Sequence, residues 1–403
     1  MDDRPTGVIL AGAAALGAYE AGVLEHVVTA VARDLGRARV LDVVSGTSAG
    51  AINATALAAF ADDPAAGVAR LCATWSGLRL GRVLRPSGIE VLSMIAGLTA
   101  PPSRLQRALR LRRARGGLLD PRPIIDLLTA SIPVDRLTAN LRAGHLRGVA
   151  ISATHVATGR ATVFYQTAER ELAWAPDASM TPVETRLGIA HAMASAAIPL
   201  LFPPVDIAGD LYCDGGLRQM VPLSPSLHLG AHRLLVINPL GVTPDRAQEQ
   251  ARREASTSPL YLAGKALNAL FVDRLDVDLA RLEQLSGVLR AGTRRFGAGF
   301  ETDINDELAR DGGAPLRAVT AMRIDPSHDL GQLAADYAAS PAFARRERGL
   351  VGRLLRWLGE QGQTRAGDVL SYLMFDGEFA AELIRLGRAD ARARHAELCA
   401  FLA

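Results

Sequence analysis

Near the start of the chain, short apolar runs rich in β-branched residues alternate with longer stretches whose apolar side chains recur every three or four positions. Thr6–Leu10 (TGVIL) predicts a buried strand. An Ala/Gly-rich turn, Ala11–Gly17, follows it. Val23, Leu24, Val27, Val28 and Val31 then fall at helical spacing and predict a helix over about Ala18–Leu35. Leu41–Ser45 (LDVVS) predicts a second strand that breaks at Gly46, and an alanine-rich helix is expected from about Ala49 to Phe60. Strand, turn and helix thus occur twice in succession, the pattern of βαβ units around a largely parallel sheet.

From Leu78 to Gly117 the rhythm breaks. Gly88–Ala100 is mostly apolar, and Arg104, Arg107, Arg110, Arg112, Arg113 and Arg115 then crowd a stretch without an acidic residue. At helical spacing these arginines surround the axis instead of forming a stripe, unlike an amphipathic membrane helix. The segment reads either as a cap or membrane-facing insertion, whose arginines meet anionic lipid headgroups, or as a solvated loop. Strand-like runs return at Gly148–Ala153 (GVAISA), Ala161–Tyr165 (ATVFY), Leu234–Asn238 (LLVIN) and Ala318–Ile324. The C-terminal third is otherwise helical in pattern, over roughly Leu260–Leu289, Phe343–Leu358 and Asp368–Leu402. Without internal repeats or a low-complexity linker, the expected organisation is a catalytic α/β part over 1–240 with a mostly helical extension, 241–403, packed on it.

Composition changes this picture little. With 49% hydrophobic and 22% charged residues the chain is an ordinary globular one. A net charge of +3 is too small to argue for nucleic acid as a partner. Cys72, Cys213 and Cys399 are widely spaced, form no zinc pattern or disulfide framework, and fit a reducing compartment. The N-terminus starts Met1-Asp2-Asp3-Arg4-Pro5, unlike a secretory signal. No apolar run reaches the roughly 20 residues of a membrane span. The expectation is a cytoplasmic protein, soluble or peripheral to a membrane.

The chemistry concentrates in Gly46-Thr47-Ser48-Ala49-Gly50, a G-x-S-x-G pentapeptide. In a chain with 38 glycines such a match also arises by chance. Its context is what gives it meaning: a predicted strand precedes it and a predicted helix follows, as a serine on a sharp turn requires. The helix start behind Ser48 offers unpaired amides and a partial positive charge to a developing oxyanion. A serine hydroxyl needs a base. Asp214, followed by Gly215 and Gly216, is the leading candidate, although Asp-Gly-Gly alone is an ordinary turn signal. His155 and His191 are the alternative bases; structural or surface roles are the plainer reading of both. Gly12–Gly17 has the glycine spacing of a phosphate loop, but Ala18-Tyr19 stand where Lys and Ser/Thr are needed. No His/Asp/Glu cluster has metal-ligand spacing, so no metal or other cofactor is expected, and activity should survive chelators.

Three blocks together resemble the patatin-like phospholipases. Leu10–Leu24 (LAGAAALGAYEAGVL) is similar to the family's glycine-rich loop and following helix, and Ser45–Ala54 (SGTSAGAINA) to its nucleophile block. Ala194–Pro199, Phe202–Pro204 and Asp214-Gly215-Gly216 follow the order of the segment that ends in the family's aspartate. The resemblance covers about residues 6–60 and 148–240. It implies a three-layer α/β/α sandwich with a mainly parallel central sheet, hydrolysis of acyl esters in lipids, and a Ser48–Asp214 dyad instead of a triad. It implies an oxyanion hole built by amides of Gly12, Ala13, Ala14 and Ala49. The family's loop usually carries three consecutive glycines where this chain has Gly12-Ala13-Ala14, so an alanine forced to φ > 0 would be strained by about 1 kcal/mol or more. Two other readings share the fold: a lipid- or partner-binding protein with little turnover, and an acyltransferase using the same serine.

Overall fold

The computed structural model describes residues 4–85, 117–168, 174, 180–241, 275–311, 313, 315–360 and 370–403. The arginine-rich stretch Arg104–Arg115, the apolar stretch Gly88–Ala100 and the start of the helix expected from Leu260 lie outside the described residues.

One sheet organises the molecule. Its strands are β1 (Thr6–Leu10), β2 (Val43–Thr47), β3 (Gly148–His155), β4 (Ala161–Thr167), β5 (Met180–Glu184), β6 (Val205–Ile207), β7 (Asp210–Asp214), β8 (Arg233–Ile237) and β9 (Thr320–Ile324). The main order is β5-β4-β3-β2-β1-β8-β9. Strands β3, β2, β1, β8 and β9 pair in parallel, β4 joins β3 antiparallel, and β7 pairs antiparallel with β3 and β6.

Strands β1, β2 and β8 are buried throughout, because helices cover both faces of the sheet. The strand period of two divides their side chains between two cores. Val8, Leu10, Val44, Leu235 and Ile237 belong to one core, with the helices Gly17–His26, Ala49–Ala59, Pro64–Ser76 and Gly377–Ala393. Ile9, Val43, Leu234 and Val236 belong to the other, with Leu223–His228 and Leu275–Phe296. The result is the expected α/β/α layering with a mostly parallel sheet.

The expected elements form with shifted ends. The first helix continues past His26 through a π turn, Val27–Val31, to Asp34. Strand β2 begins at Val43 and runs through Gly46 to Thr47. The helix expected over Phe343–Leu358 is two helices, Pro341–Arg346 and Leu350–Glu360. That over Asp368–Leu402 breaks before Gly377, where buried Asp376 accepts the amides of Glu378 and Phe379 and caps the new helix.

The C-terminal region contributes to the same core. Strand β9 extends the sheet from β8, and the helix Gly377–Ala393 crosses Gly17–His26 at backbone contact. A Cβ at Gly22 would stand 2.1 Å from the Ile384 carbonyl oxygen, and one at Gly387 would stand 2.2 Å from that of Tyr19. Tyr19 Oη donates to Asp390 Oδ2 at 3.0 Å across the crossing. No helix among the described residues is long and apolar enough to cross a membrane.

Candidate active site

Strand β2 ends at Thr47 and a helix begins at Ala49, so the chain reverses within one residue. Ser48 makes that reversal with φ 54 and ψ −122, a backbone that side chains disfavour. Glycines on either side permit it. A Cβ at Gly46 would lie 2.2 Å from the Gly50 carbonyl oxygen, and a Cβ at Gly50 would lie 2.3 Å from that of Leu10. The Ser48 amide is anchored by Ser195 Oγ at 2.8 Å, and Ser195 in turn donates to the Ser152 carbonyl at 2.5 Å.

Sheet register brings Asp214 to this serine. Thr47 is paired with Ser152 on β3, and Asp214 with the next residue, Ala153. Strand β4 occupies the opposite edge of β3, so β7 takes over the edge where β2 ends. Ser48 and Asp214, far apart in sequence, therefore meet where one neighbour of β3 replaces another. Gly215 makes the approach possible: a Cβ there would stand 2.1 Å from the Ser152 carbonyl oxygen.

Ser48 Oγ donates to Asp214 Oδ2 at 2.7 Å. The Gly216 amide donates to Asp214 Oδ1 at 2.7 Å. The aspartate's own amide donates to the Ala197 carbonyl at 2.9 Å, and its carbonyl accepts Thr154 Oγ1 at 2.8 Å. The residue is 1% exposed. Burial pushes the carboxyl up to about 7, against the hydrogen bonds from Ser48 and Gly216, which pull it down. A carboxylate so placed can take the serine proton near neutral pH.

The glycine-rich loop lies beside Ser48. The Gly12 amide is engaged by the Met220 carbonyl at 2.9 Å, which removes it from the expected oxyanion donors. A Cβ at Gly12 would also meet Met220 Sδ at 2.5 Å. Ala14 has φ 47 and carries the strain expected of this loop; Ala13, with φ −151, does not. Ala14, Ser48 and Ala49 line one cavity of about 870 Å³, counting its open mouth. Ala14 begins a short 3-10 turn and Ala49 a helix, so their amides are among those that a helix start leaves unpaired.

The alternative bases are occupied elsewhere. His155 Nδ1 is hydrogen-bonded to Thr158 Oγ1 at 2.8 Å, and its Nε2 lies 3.4 Å from Asp210 Oδ1. His191 Nδ1 accepts the Gly188 amide, and its ring packs edge-on against Phe164.

Two residues have parts that sequence reasoning missed. Ser195 lies within the third block, and only the sheet shows that it braces Ser48. Glu20 is fully buried behind the loop, where Oε2 accepts Asn53 Nδ2 at 2.8 Å. Asn53 also donates to the Gly17 carbonyl and accepts Trp75 Nε1. Burial holds the Glu20 carboxyl well above the usual carboxylate range, and the knot joins the three helices Gly17–His26, Ala49–Ala59 and Pro64–Ser76 behind the site. Among the described residues no group of three or more His, Cys, Asp or Glu could hold a metal ion.

Ser48, strained on its strand–helix turn, is thus hydrogen-bonded to a buried carboxylate. The chain belongs to the patatin-like phospholipase family, whose model matches residues 8–227. At the level of the family this makes it a lipid acyl hydrolase. Among solved structures it is similar to VipD from Legionella pneumophila, at 14% identity over 94% of this chain and 92% of that one, with a TM-score of 0.35. It is also similar to a chain of the heterodimeric ExoU–SpcU complex from the type III secretion system of Pseudomonas aeruginosa, at 16% identity over 96% and 90% of the two chains, with a TM-score of 0.26. No curated protein matches its sequence.

Proposed function

We propose that the protein hydrolyses acyl esters of phospholipids, lysophospholipids or related lipids through a Ser48–Asp214 dyad. The observation that carries this reading is the 2.7 Å hydrogen bond from Ser48 Oγ to a buried carboxylate with a raised pKa. Ser48 Oγ attacks the ester carbonyl as Asp214 Oδ2 takes its proton. The amides of Ala14 and Ala49 hold the oxyanion, each such donor contributing about 3 kcal/mol to the transition state. The tetrahedral intermediate collapses, the protonated leaving alcohol departs, and an acyl-serine remains. Asp214 then deprotonates a water, which attacks the acyl group; the acid leaves and Ser48 regains its proton.

A fluorophosphonate probe tests the nucleophile. It should label wild-type protein on Ser48 and leave Ser48→Ala unlabelled. Labelling at another residue, with esterase activity that survives Ser48→Ala, would overturn the reading. Peripheral contact with an anionic membrane belongs to the same proposal. It is expected as salt-sensitive vesicle binding that is lost when Arg104, Arg107, Arg110, Arg112, Arg113 and Arg115 are neutralised.

A further inference from the structure

The cavity that Ser48 lines follows one face of the helix Ala49–Ala59. Ala49, Ile52, Ala56 and Phe60 line it at helical spacing. From Ser48 to Phe60 this face extends about 18 Å at the helical rise of about 1.5 Å per residue. That is close to the extended length of a myristoyl chain. The helix Pro64–Ser76 runs back along the opposite wall, with Trp75 beside Asn53 and Gly67 beside Phe60. At the far end the walls close: a Cβ on Gly67 would stand 2.3 Å from Phe60 Cβ.

Arg70 seals the same end. Its Nε donates to the Ser131 carbonyl at 3.1 Å and its Nη2 to that of Ala130 at 3.4 Å. These acceptors finish the helix Arg122–Ser131, where carbonyls lack partners within the helix and a cation is favoured. Among the described residues lining the cavity, Arg70 is the one charged side chain, and it stands away from Ser48.

We propose that this cavity measures a single unbranched acyl chain, and that Ala56 and the Phe60–Gly67 contact set the longest chain accepted. The proposal rests on the acyl hydrolase reading above and specifies its substrate.

The test is a series of p-nitrophenyl esters from butyrate to stearate, with kcat/KM measured for each. Each added methylene should raise kcat/KM roughly fourfold, the equivalent of about 0.8 kcal/mol per buried methylene. The rise should stop near myristate. Ala56→Phe should move the optimum to shorter chains, lowering kcat/KM for the long-chain esters at least a hundredfold relative to that for butyrate. Phe60→Ala should move the optimum to longer chains and provides the measurement should Ala56→Phe fail to fold. Retained butyrate turnover with an unchanged length profile in either variant would overturn the proposal. Should wild type hydrolyse no ester, the dyad reading fails by itself. Quenching of Trp75 fluorescence by the matching fatty acids then decides the cavity: affinity rising to the same length supports it, and affinity independent of length overturns it.

Discussion

Ser48 and Ala14 border the same cavity and share an unusual backbone, yet they are held in opposite ways. Both have positive φ without being glycine, 54 and 47. At Ser48 the strain is braced by the Ser195 hydroxyl and by the close approaches at Gly46 and Gly50. At Ala14 the chain turns in a loop whose own anchor is one residue pair away, between Gly12 and Met220. Ser48 needs its side chain, so strain there is the condition for having a hydroxyl at a sharp turn. Ala14 contributes an amide, which glycine would supply as well. The contrast separates strain required by the chemistry from strain that the fold merely tolerates.

The largest test of this contrast is Ser48→Ala. It should lower kcat by at least about 10⁴-fold while melting within about 1 kcal/mol of wild type, since alanine keeps the same strained turn. Loss of folding would show that the hydroxyl is structural.

Asp214→Asn comes next, with an expected loss of about 10³–10⁴ in kcat. In wild type, kcat/KM should rise with pH through about 7, as the carboxyl loses its proton. Stability should run the other way. The folded-state pKa lies above the unfolded value of about 3.9, so the folded protein binds more protons between the two and loses stability as pH rises through that window. Asparagine removes this dependence. The variant should therefore melt higher than wild type at about pH 8, by up to about 4 kcal/mol, with the gain vanishing near pH 4. Thermal unfolding across that range is the measurement.

Ser195→Ala removes the brace and leaves the Ser48 amide buried without an acceptor. It should cost about 1–3 kcal/mol of stability and lower kcat by about tenfold, read by denaturant unfolding and ester kinetics. The smallest effect belongs to Ala14→Gly. Relief of about 1 kcal/mol of strain is set against the larger entropy of the unfolded chain. Stability should stay within about 1 kcal/mol and activity within a few fold. A large drop in kcat would show that the Ala14 methyl shapes the site.

Much of the fold is legible in the sequence because its central strands are short, apolar and separated by glycine-marked turns. The Ser48 turn is legible for the same reason, since Gly46 and Gly50 mark where no side chain fits. Strand β7 is legible only at its end before Asp214, because its burial inverts the usual rule: Leu211 is exposed while Asp214 is buried. The pairing that places Asp214 beside Ser48 is a matter of register between distant segments, which local pattern does not carry. Ser195 was hidden for a similar reason, since a serine among alanines looks like any small residue until its neighbours are known. Glu20 lies on a helix whose every face is covered, so no amphipathic stripe singles it out.

The crossing of the first helix by the helix that starts at Gly377 bears on how the molecule is made. Tyr19 and Asp390, which bond across it, are 371 positions apart. On the ribosome, the loop beside Ser48 emerges long before the segment that covers its supporting helix. A nascent chain halted short of Gly377 should leave that helix open to protease and the serine unreactive, so hydrolase activity would stay silent until the helix that starts at Gly377 has been made.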